Sequence, residues 1–355
     1  MTARYNIVFP LHTICRKEEI FMEAIQQLSI SLIQALQTLS PSFDGVMHFF
    51  SFFGEIEFYL FIIPFIYWVI DKRLGIQALL VLIAVDLVST SFKLLFHQPR
   101  PYWIGGVRDL SAEATYGIPS SHASDSLAVG GYLAYSSKQT WFRFAMVIVV
   151  FFIGLSRLYL GVHFLHDVLF GWLIGGVVLW IAATRSRQIA SWVRSKTLSA
   201  QIAIGFVVSG AVILLGILIR SLISGVLDPA SWSSFSTDAR SITHSFTLAG
   251  ALFGAITGYA LMRSQANFRP AENWGKRGSS YVLGVLGLLL IYFGLDIAFG
   301  MIAADETIAG YALRYVRYAL ATFWVTFVAP WIFLQFKLAQ SDSSQFHAAQ
   351  SNEKI

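Results

Sequence analysis

The stretch Ser156-Arg157-Leu158-Tyr159-Leu160-Gly161-Val162-His163-Phe164-Leu165-His166-Asp167 sets reactive side chains in an apolar background. His163 and Asp167 are four residues apart, so on a helix they share one face. A carboxylate there holds one imidazole nitrogen as N–H and leaves the other free to attack, the orienting arrangement of nucleophilic triads. Arg157, six residues before His163, offers a planar fork of donors suited to phosphate oxygens. An arginine beside an oriented histidine suggests phosphoryl chemistry. Arginine and histidine also cap membrane helices at the interface, so this stretch needs partners before it means a reaction.

Two stretches supply them. In Lys93-Leu94-Leu95-Phe96-His97-Gln98-Pro99-Arg100-Pro101, Lys93 falls near the end of an apolar run and Arg100 in the loop beyond. Pro99 and Pro101 stop the helix and stiffen the chain around Arg100. Alone, this is a lysine snorkelling from a helix end and a loop arginine. In Gly117-Ile118-Pro119-Ser120-Ser121-His122-Ala123-Ser124, an apolar segment follows. Ser120 or Ser121 can cap its helix, and the free N–H groups of the first turn make an anion site. His122 there can give a proton to the bound anion. Alone, this is an ordinary serine cap. Together the three stretches gather a phosphate-binding set with a nucleophile and an acid.

The elements that must position these residues are membrane helices. The chain has 355 residues, 56% hydrophobic and 13% charged, with mean hydropathy +0.63; soluble domains carry roughly 25% charged residues. Long apolar runs make it a polytopic membrane protein of the all-α class. Nine spans are expected, at Glu57–Ile70, Ile76–Phe96, His122–Tyr135, Phe142–Leu155, Phe164–Ala183, Gln201–Ser224, Ile242–Met262, Tyr281–Ala303 and Leu313–Phe336. Residues 16–40 read as an amphipathic interfacial helix. The start shows no removable signal peptide. Cys15 is the one cysteine, which excludes an internal disulfide and argues against a thiolate metal site. The net charge of +5 is small and spread over several loops, which fits membrane orientation and not nucleic-acid binding.

Lys72, Arg73, Lys138, Arg143, Arg185, Arg187, Arg194, Lys196, Arg263, Arg269, Lys276 and Arg277 fall on one set of connections. The positive-inside rule assigns that set to the cytoplasm. All three reactive stretches then lie at the exoplasmic face, periplasmic in a bacterial inner membrane or lumenal in an endoplasmic reticulum. The chain divides into an interfacial segment (1–54), a catalytic core (55–185), accessory membrane helices (200–338) and a disordered cytoplasmic tail (339–355).

The motifs resemble the type 2 phosphatidic acid phosphatase superfamily, which includes vanadium haloperoxidases, glucose-6-phosphatase and bacterial lipid phosphatases. Its pattern is Lys-x6-Arg-Pro, Pro-Ser-Gly-His and Ser-Arg-x5-His-x3-Asp. It is matched here by Lys93 to Pro101, by Pro119 to His122 and by Ser156 to Asp167, in order and with every spacing kept. Ser121 stands where glycine is commonest; it keeps the backbone N–H and adds a hydroxyl. The resemblance covers roughly residues 55–185. It implies a transmembrane bundle with a six-helix-type phosphatase core, plus about four further C-terminal membrane helices. TYGIPSSHA and SRLYLGVH look most like the sphingosine-1-phosphate phosphatases.

By that resemblance His163 attacks phosphorus, Asp167 orients it, and His122 protonates the leaving alkoxide and then deprotonates the water. Lys93, Arg100, Arg157, Ser120 and Ser121 hold the phosphate. Fixed cations take the place of a metal, so neither metal nor cofactor is expected. The opposite starting protonation states of His163 and His122 imply a bell-shaped pH–rate profile. The implied substrate is a lipid phosphate drawn from the surrounding membrane lipids. A long-chain base phosphate is the leading candidate, with polyprenyl pyrophosphate or phosphatidic acid as enzymatic alternatives. A transporter or scaffold on the same fold is the rival of another class, and a homodimer is left open. His166 competes with His163 as nucleophile, but the spacing from Ser156-Arg157 favours His163. Asp86 and Asp296 are intramembrane acids, structural if a basic partner meets them. His97, Glu113 and Asp125 lie close to the motifs, and His48 and His244 read as interfacial or packing residues.

Overall fold

The computed structural model describes residues 11–236 and 238–341. The chain opens with α1 (Leu11–Gln37) and α2 (Asp44–Phe52), followed by α3 (Ile56–Phe65), which a π turn prolongs over Ile66–Ile70. Asp71 then caps α4 (Lys72–Phe96), its side chain accepting from the backbone N–H of Arg73 and Leu74 at 2.8 Å each. This is the usual satisfaction of a helix's first free donors. α5 begins at Ser121–Asp125 and runs through a π turn, Ser126–Gly130, into Gly131–Ser136. α6 (Thr140–Tyr159) and α7 (Leu165–Arg194) complete the half that carries the motifs. The second half holds α8 (Leu198–Leu222), α9 (Thr243–Gln265) and α10 (Trp274–Gly300). It closes with α11 (Ile308–Phe323), continued by a π turn over Trp324–Val328 and by Ala329–Gln335.

Among the described residues, seven helical segments are long and apolar enough to cross a membrane. Two of the nine expected spans are not crossings of full length. The helix from Ser121 to Ser136 has only 16 residues, about 24 Å at 1.5 Å per residue against roughly 30 Å of hydrocarbon. Ile56–Ile70 reaches the required length only when taken with α2, across a 50° bend. Both are short because they pack inside the bundle. Tyr59 and Ile63 of α3, Ala128, Val129 and Tyr132 of α5, and Ile174 of α7 share one core with α4.

Glycine sets the closest approach in this half. A Cβ on Gly171 of α7 would stand 2.6 Å from the Ser120 carbonyl oxygen, and one on Gly175 2.5 Å from that of Ser124. The two helices therefore meet backbone to backbone. A second core joins the halves: Tyr67, Trp68 and Val69 pack with Ala255, Leu288, Val325 and Phe333. Trp68 Nε1 donates to the Val325 carbonyl at 2.9 Å and Tyr67 Oη to that of Thr326 at 3.1 Å.

The contacts sort the connections onto two ends. Lys72 Nζ reaches the Asn267 and Phe268 carbonyls, and Arg277 Nη1 that of Val69, at one end. Tyr116 meets Asp228 at the other, where all three motifs lie. The expected tail begins in order, not disorder. Ala339–Ser341 pairs antiparallel with Phe268–Pro270, and Ser341 Oγ donates to the Ala266 carbonyl at 2.6 Å, so its polar backbone is satisfied. The rest of the expected tail, 342–355, lies outside the described residues. Among the intramembrane acids, Asp86 meets His244 at 2.7 Å, which makes His244 an ion-pair partner joining α4 to α9 and not merely an interfacial residue. Asp296 pairs with Arg317, the basic partner that gives it a structural role.

Candidate active site

Lys93 lies in the last turn of α4, and its Nζ donates to Thr115 Oγ1 at 3.2 Å and to the Tyr116 carbonyl at 3.0 Å. The helix stops at His97, whose φ of 50° is left-handed. Pro99 and Pro101 flank the inward turn at Arg100, and Gly117 N–H donates to the Gln98 carbonyl at 2.9 Å. Arg100 is completely buried. Its Nε donates to the Thr115 carbonyl at 2.5 Å, Nη2 to Thr115 Oγ1 at 2.8 Å, and Nη1 to the Val162 carbonyl at 2.9 Å. Nη1 also stands 3.1 Å from His163 Nε2.

Arg157 comes from the last turn of α6 and is equally buried. Its Nη1 donates to Ser51 Oγ at 2.5 Å, and Nη2 pairs with Glu113 Oε1. Glu113 Oε2 stands 3.6 Å from Arg100 Nη2, so one carboxylate bridges two guanidiniums.

His163 is not on the helix that carries Asp167. It sits in the turn between α6 and α7, made by Gly161 at φ 76°, and Asp167 is in the first turn of α7. The pair closes through the helix cap. Asp167 Oδ2 accepts from Phe164 N–H at 2.9 Å and stands 3.3 Å from His163 Nδ1. The carboxylate thus holds Nδ1 as N–H and turns Nε2 toward Arg100. His166 Nε2 lies 3.3 Å from the other oxygen, Oδ1, with its ring stacked on Phe164 at 5.2 Å. Both histidines flank Asp167, but only His163 also faces a phosphate-binding candidate, Arg100.

Ser120 joins the two helices: its N–H donates to the Asp167 carbonyl at 3.0 Å and its own carbonyl accepts from Ser124 N–H at 3.1 Å. Its hydroxyl is fully buried and has no hydrogen-bond partner among the described residues. Ser121 opens α5 and is linked there through its carbonyl, which accepts from Ser124 Oγ at 3.0 Å. His122 Nε2 stands 3.2 Å from Glu55 Oε1, an ion-pair distance without hydrogen-bond alignment. The fold therefore gathers Lys93, Arg100, Ser120, Arg157, His163 and Asp167 into one buried cluster. His122 lies at its edge, beside Glu55, and no hydrogen bond joins the Ser121 side chain to the cluster among the described residues.

The electrostatics follow from burial and from the cations. Burial pushes His163 well below the ordinary imidazole range, and Arg100, Lys93 and Arg157 add to the shift. The ring is thus neutral at neutral pH. Burial alone would raise the Glu113 carboxyl, but Arg100 and Arg157 outweigh it and bring it down to about 2. Sequence reasoning placed Glu113 near the motifs without seeing that it bridges both arginines, and it missed Ser51, Glu55 and Thr115. An acid in the loop between the Arg100 motif and the Ser120 motif was the available signal for Glu113. Nothing local marked Ser51.

This constellation has a known setting. The PAP2 superfamily is matched over residues 74–190 and the PAP2 superfamily phosphatase transmembrane extension over residues 246–341. The two matches follow one another along more than half of the chain, which belongs to the PAP2 superfamily, as the three motifs implied. Lipid phosphate phosphatase delta of Arabidopsis thaliana is 27% identical over 158 residues, 40% of this chain and 38% of that protein. Sphingosine-1-phosphate phosphatase 2 of Mus musculus is 32% identical over 133 residues, 36% of this chain and 38% of that protein. The chain thus spans well under half the length of these curated relatives. A solved transmembrane PAP2 type phosphatidylglycerolphosphate phosphatase from Bacillus subtilis superposes with a TM-score of 0.41. It is 23% identical and covers 47% of this chain and 88% of its own.

Proposed function

We propose that the chain is a membrane lipid phosphate phosphatase that hydrolyses a phosphomonoester through a phosphohistidine on His163. The observation that carries this reading is the buried His163 ring, with Nδ1 on Asp167 and Nε2 facing Arg100, beside Lys93, Arg100 and Arg157. A phosphate that takes up Arg100 frees the Nε2 lone pair. Nε2 then attacks phosphorus, the ester P–O bond breaks, and the alkoxide takes a proton from His122. Water next attacks phosphorus and gives its proton to His122, the P–N bond breaks, and inorganic phosphate leaves. Splitting the reaction in this way replaces one difficult step with two easier ones. Lys93, Arg100, Arg157 and Ser120 stabilise the equatorial oxygens, whose charge dominates the transition state. Asp167 supports the charge that grows on His163.

A long-chain base phosphate is the substrate class we favour. The site sits at one end of a lipid-facing bundle, and the similarity to a sphingosine-1-phosphate phosphatase points the same way. The basic connections at the opposite end support an exoplasmic site, and we regard residues 200–338 as accessory helices. The test is phosphate release by detergent-purified protein from sphingosine 1-phosphate, phosphatidic acid, a polyprenyl pyrophosphate and glucose 6-phosphate. Wild type and His163→Ala run side by side in EDTA. We expect release from the lipid substrates that His163→Ala abolishes, and an acid-labile phosphoryl label on wild type only. No release by folded wild-type protein would return the chain to the transporter or scaffold class.

A further inference from the structure

Asp167 lies as deep as the cations of the site, but its two other carboxylates, Glu113 and Glu55, lie nearer the surface. Arg100 and Arg157 are 0% exposed and Lys93 6%, whereas the Glu113 and Glu55 side chains are 24% and 38% exposed. Glu113 fills the gap between the two guanidiniums. Ser120 Oγ and Arg157 Nε, buried in the same cluster, have no hydrogen-bond partner among the described residues. The donors of the cluster thus hold an anion lent by the protein's own loop, and two of their polar atoms remain unused. That loop is fastened on both sides of Glu113. Its N–H donates to Tyr102 Oη at 3.1 Å, and Tyr102 Oη donates back to its carbonyl at 2.7 Å. Thr115 accepts twice from Arg100. The backbone keeps the carboxylate beside the site when its side chain swings off the arginines.

We propose that Glu113 exchanges partners when substrate binds: the phosphate takes Arg100 and Arg157, and the released carboxylate takes a protonated amine on the same substrate. Glu113 then selects amino-alcohol phosphates over phosphate esters that lack a nearby cation. This inference rests on the phosphatase reading and adds the second group that the site recognises. The order Arg100 and Arg157 inside, Glu113 outside, is the complement of a molecule with phosphate at its tip and ammonium just behind. Charge accounting favours the same exchange. A half-buried carboxylate stripped of both arginines is costly unless another cation meets it. An amine supplies that cation, and phosphatidic acid does not.

The test compares kcat/KM for sphingosine 1-phosphate and its N-acetyl derivative, which share phosphate and chain and differ in the charge on nitrogen. Wild type is expected to favour the amine by about ten- to a hundredfold, the range of one charge-assisted contact. In Glu113→Gln that ratio collapses toward one, while orthovanadate inhibits more tightly because no internal anion must leave. Glu113→Asp keeps the preference. An unchanged ratio in folded Glu113→Gln overturns the inference. So does the absence of any preference in wild type, an outcome that needs no variant to fold. Lipid binding to His163→Ala separates the two readings. Tighter binding of the amine lipid that Glu113→Gln removes, when folded wild type hydrolyses neither lipid, supports this inference and sinks the phosphatase. Hydrolysis without amine preference does the reverse.

Discussion

Two arginine pairs sit at the same end of the bundle in different settings. Arg314 and Arg317, on α11, each have a carboxylate of their own, Asp305 at 3.5 Å and Asp296. Both rest on aromatic faces, with Tyr318 under each and Tyr292 under Arg317. Positive and negative charge balance there, and the acids are the exposed partners, 71% for Asp305 and 60% for Asp296. Arg100 and Arg157 share one carboxylate, with Lys93 close by. Of the other acids of the site, Asp167 is taken up by His163 and the α7 backbone, and Glu55 stands beside His122. Balanced pairs join helices. Two buried guanidiniums with one carboxylate between them are a local surplus of positive charge, which is expensive, and in the proposed function that surplus is the place of a guest phosphate.

Substitutions can break this contrast. The largest effect belongs to the surplus. Arg100→Ala is expected to cut phosphate release by about 10²–10³-fold, the scale of losing one transition-state donor, while Arg317→Ala leaves turnover unchanged and lowers only the melting temperature. Equal losses of turnover in both variants would erase the distinction. Next comes pH. The folded His163 pKa lies below its ordinary 6.5, so the stability it contributes is complete above pH 6.5 and is lost as pH falls below that value. Glu113, at about 2 when folded against 4.5 as the ordinary value, contributes stability that is complete above 4.5 and is lost between 4.5 and 2. Both make acid destabilising. The acid limb of kcat/KM set by His163 should therefore fall below pH 6.5; a limb above pH 7 would contradict the neutral nucleophile. EDTA should leave the rate unchanged if, as proposed, fixed cations carry the phosphate charge, and a chelator-sensitive enzyme would count against that role for them.

The smallest effect tests how the two halves communicate. Tyr116 Oη donates to Asp228 Oδ2 at 2.9 Å, and Trp232 packs on Trp103 and Tyr116. The second half thereby steadies the loop whose Tyr116 carbonyl holds Lys93. Tyr116→Phe removes one hydrogen bond, about 0.5–1.5 kcal/mol. If the loop relaxes, kcat should drop about two- to tenfold with KM little changed. No change would make the contact purely structural.

What was legible in the sequence follows from chain distance. Lys93, Arg100, Ser120, His122, Arg157, His163 and Asp167 lie in short motifs, and local spacing exposed them. Glu113 meets Arg157 across 44 residues and Ser51 meets it across 106, with no shared motif to announce either contact. The His163–Asp167 pairing was anticipated for an incomplete reason. Spacing suggested one helical face, while the fold uses the cap of α7, which tolerates the same interval of four residues. Apolar length found the long crossings. It overcounted where α3 and α5 are short, because burial inside a bundle makes a segment as apolar as lipid contact does.

Gly171 and Gly175 give the reaction a length standard. In the proposed mechanism the acid, His122, rides on α5 and the orienting carboxylate, Asp167, on α7, so their separation is set by the thickness of two touching backbones. One added methyl at residue 171 would lengthen that standard without altering any reactive group. The enzyme would keep every tool and lose its calibration.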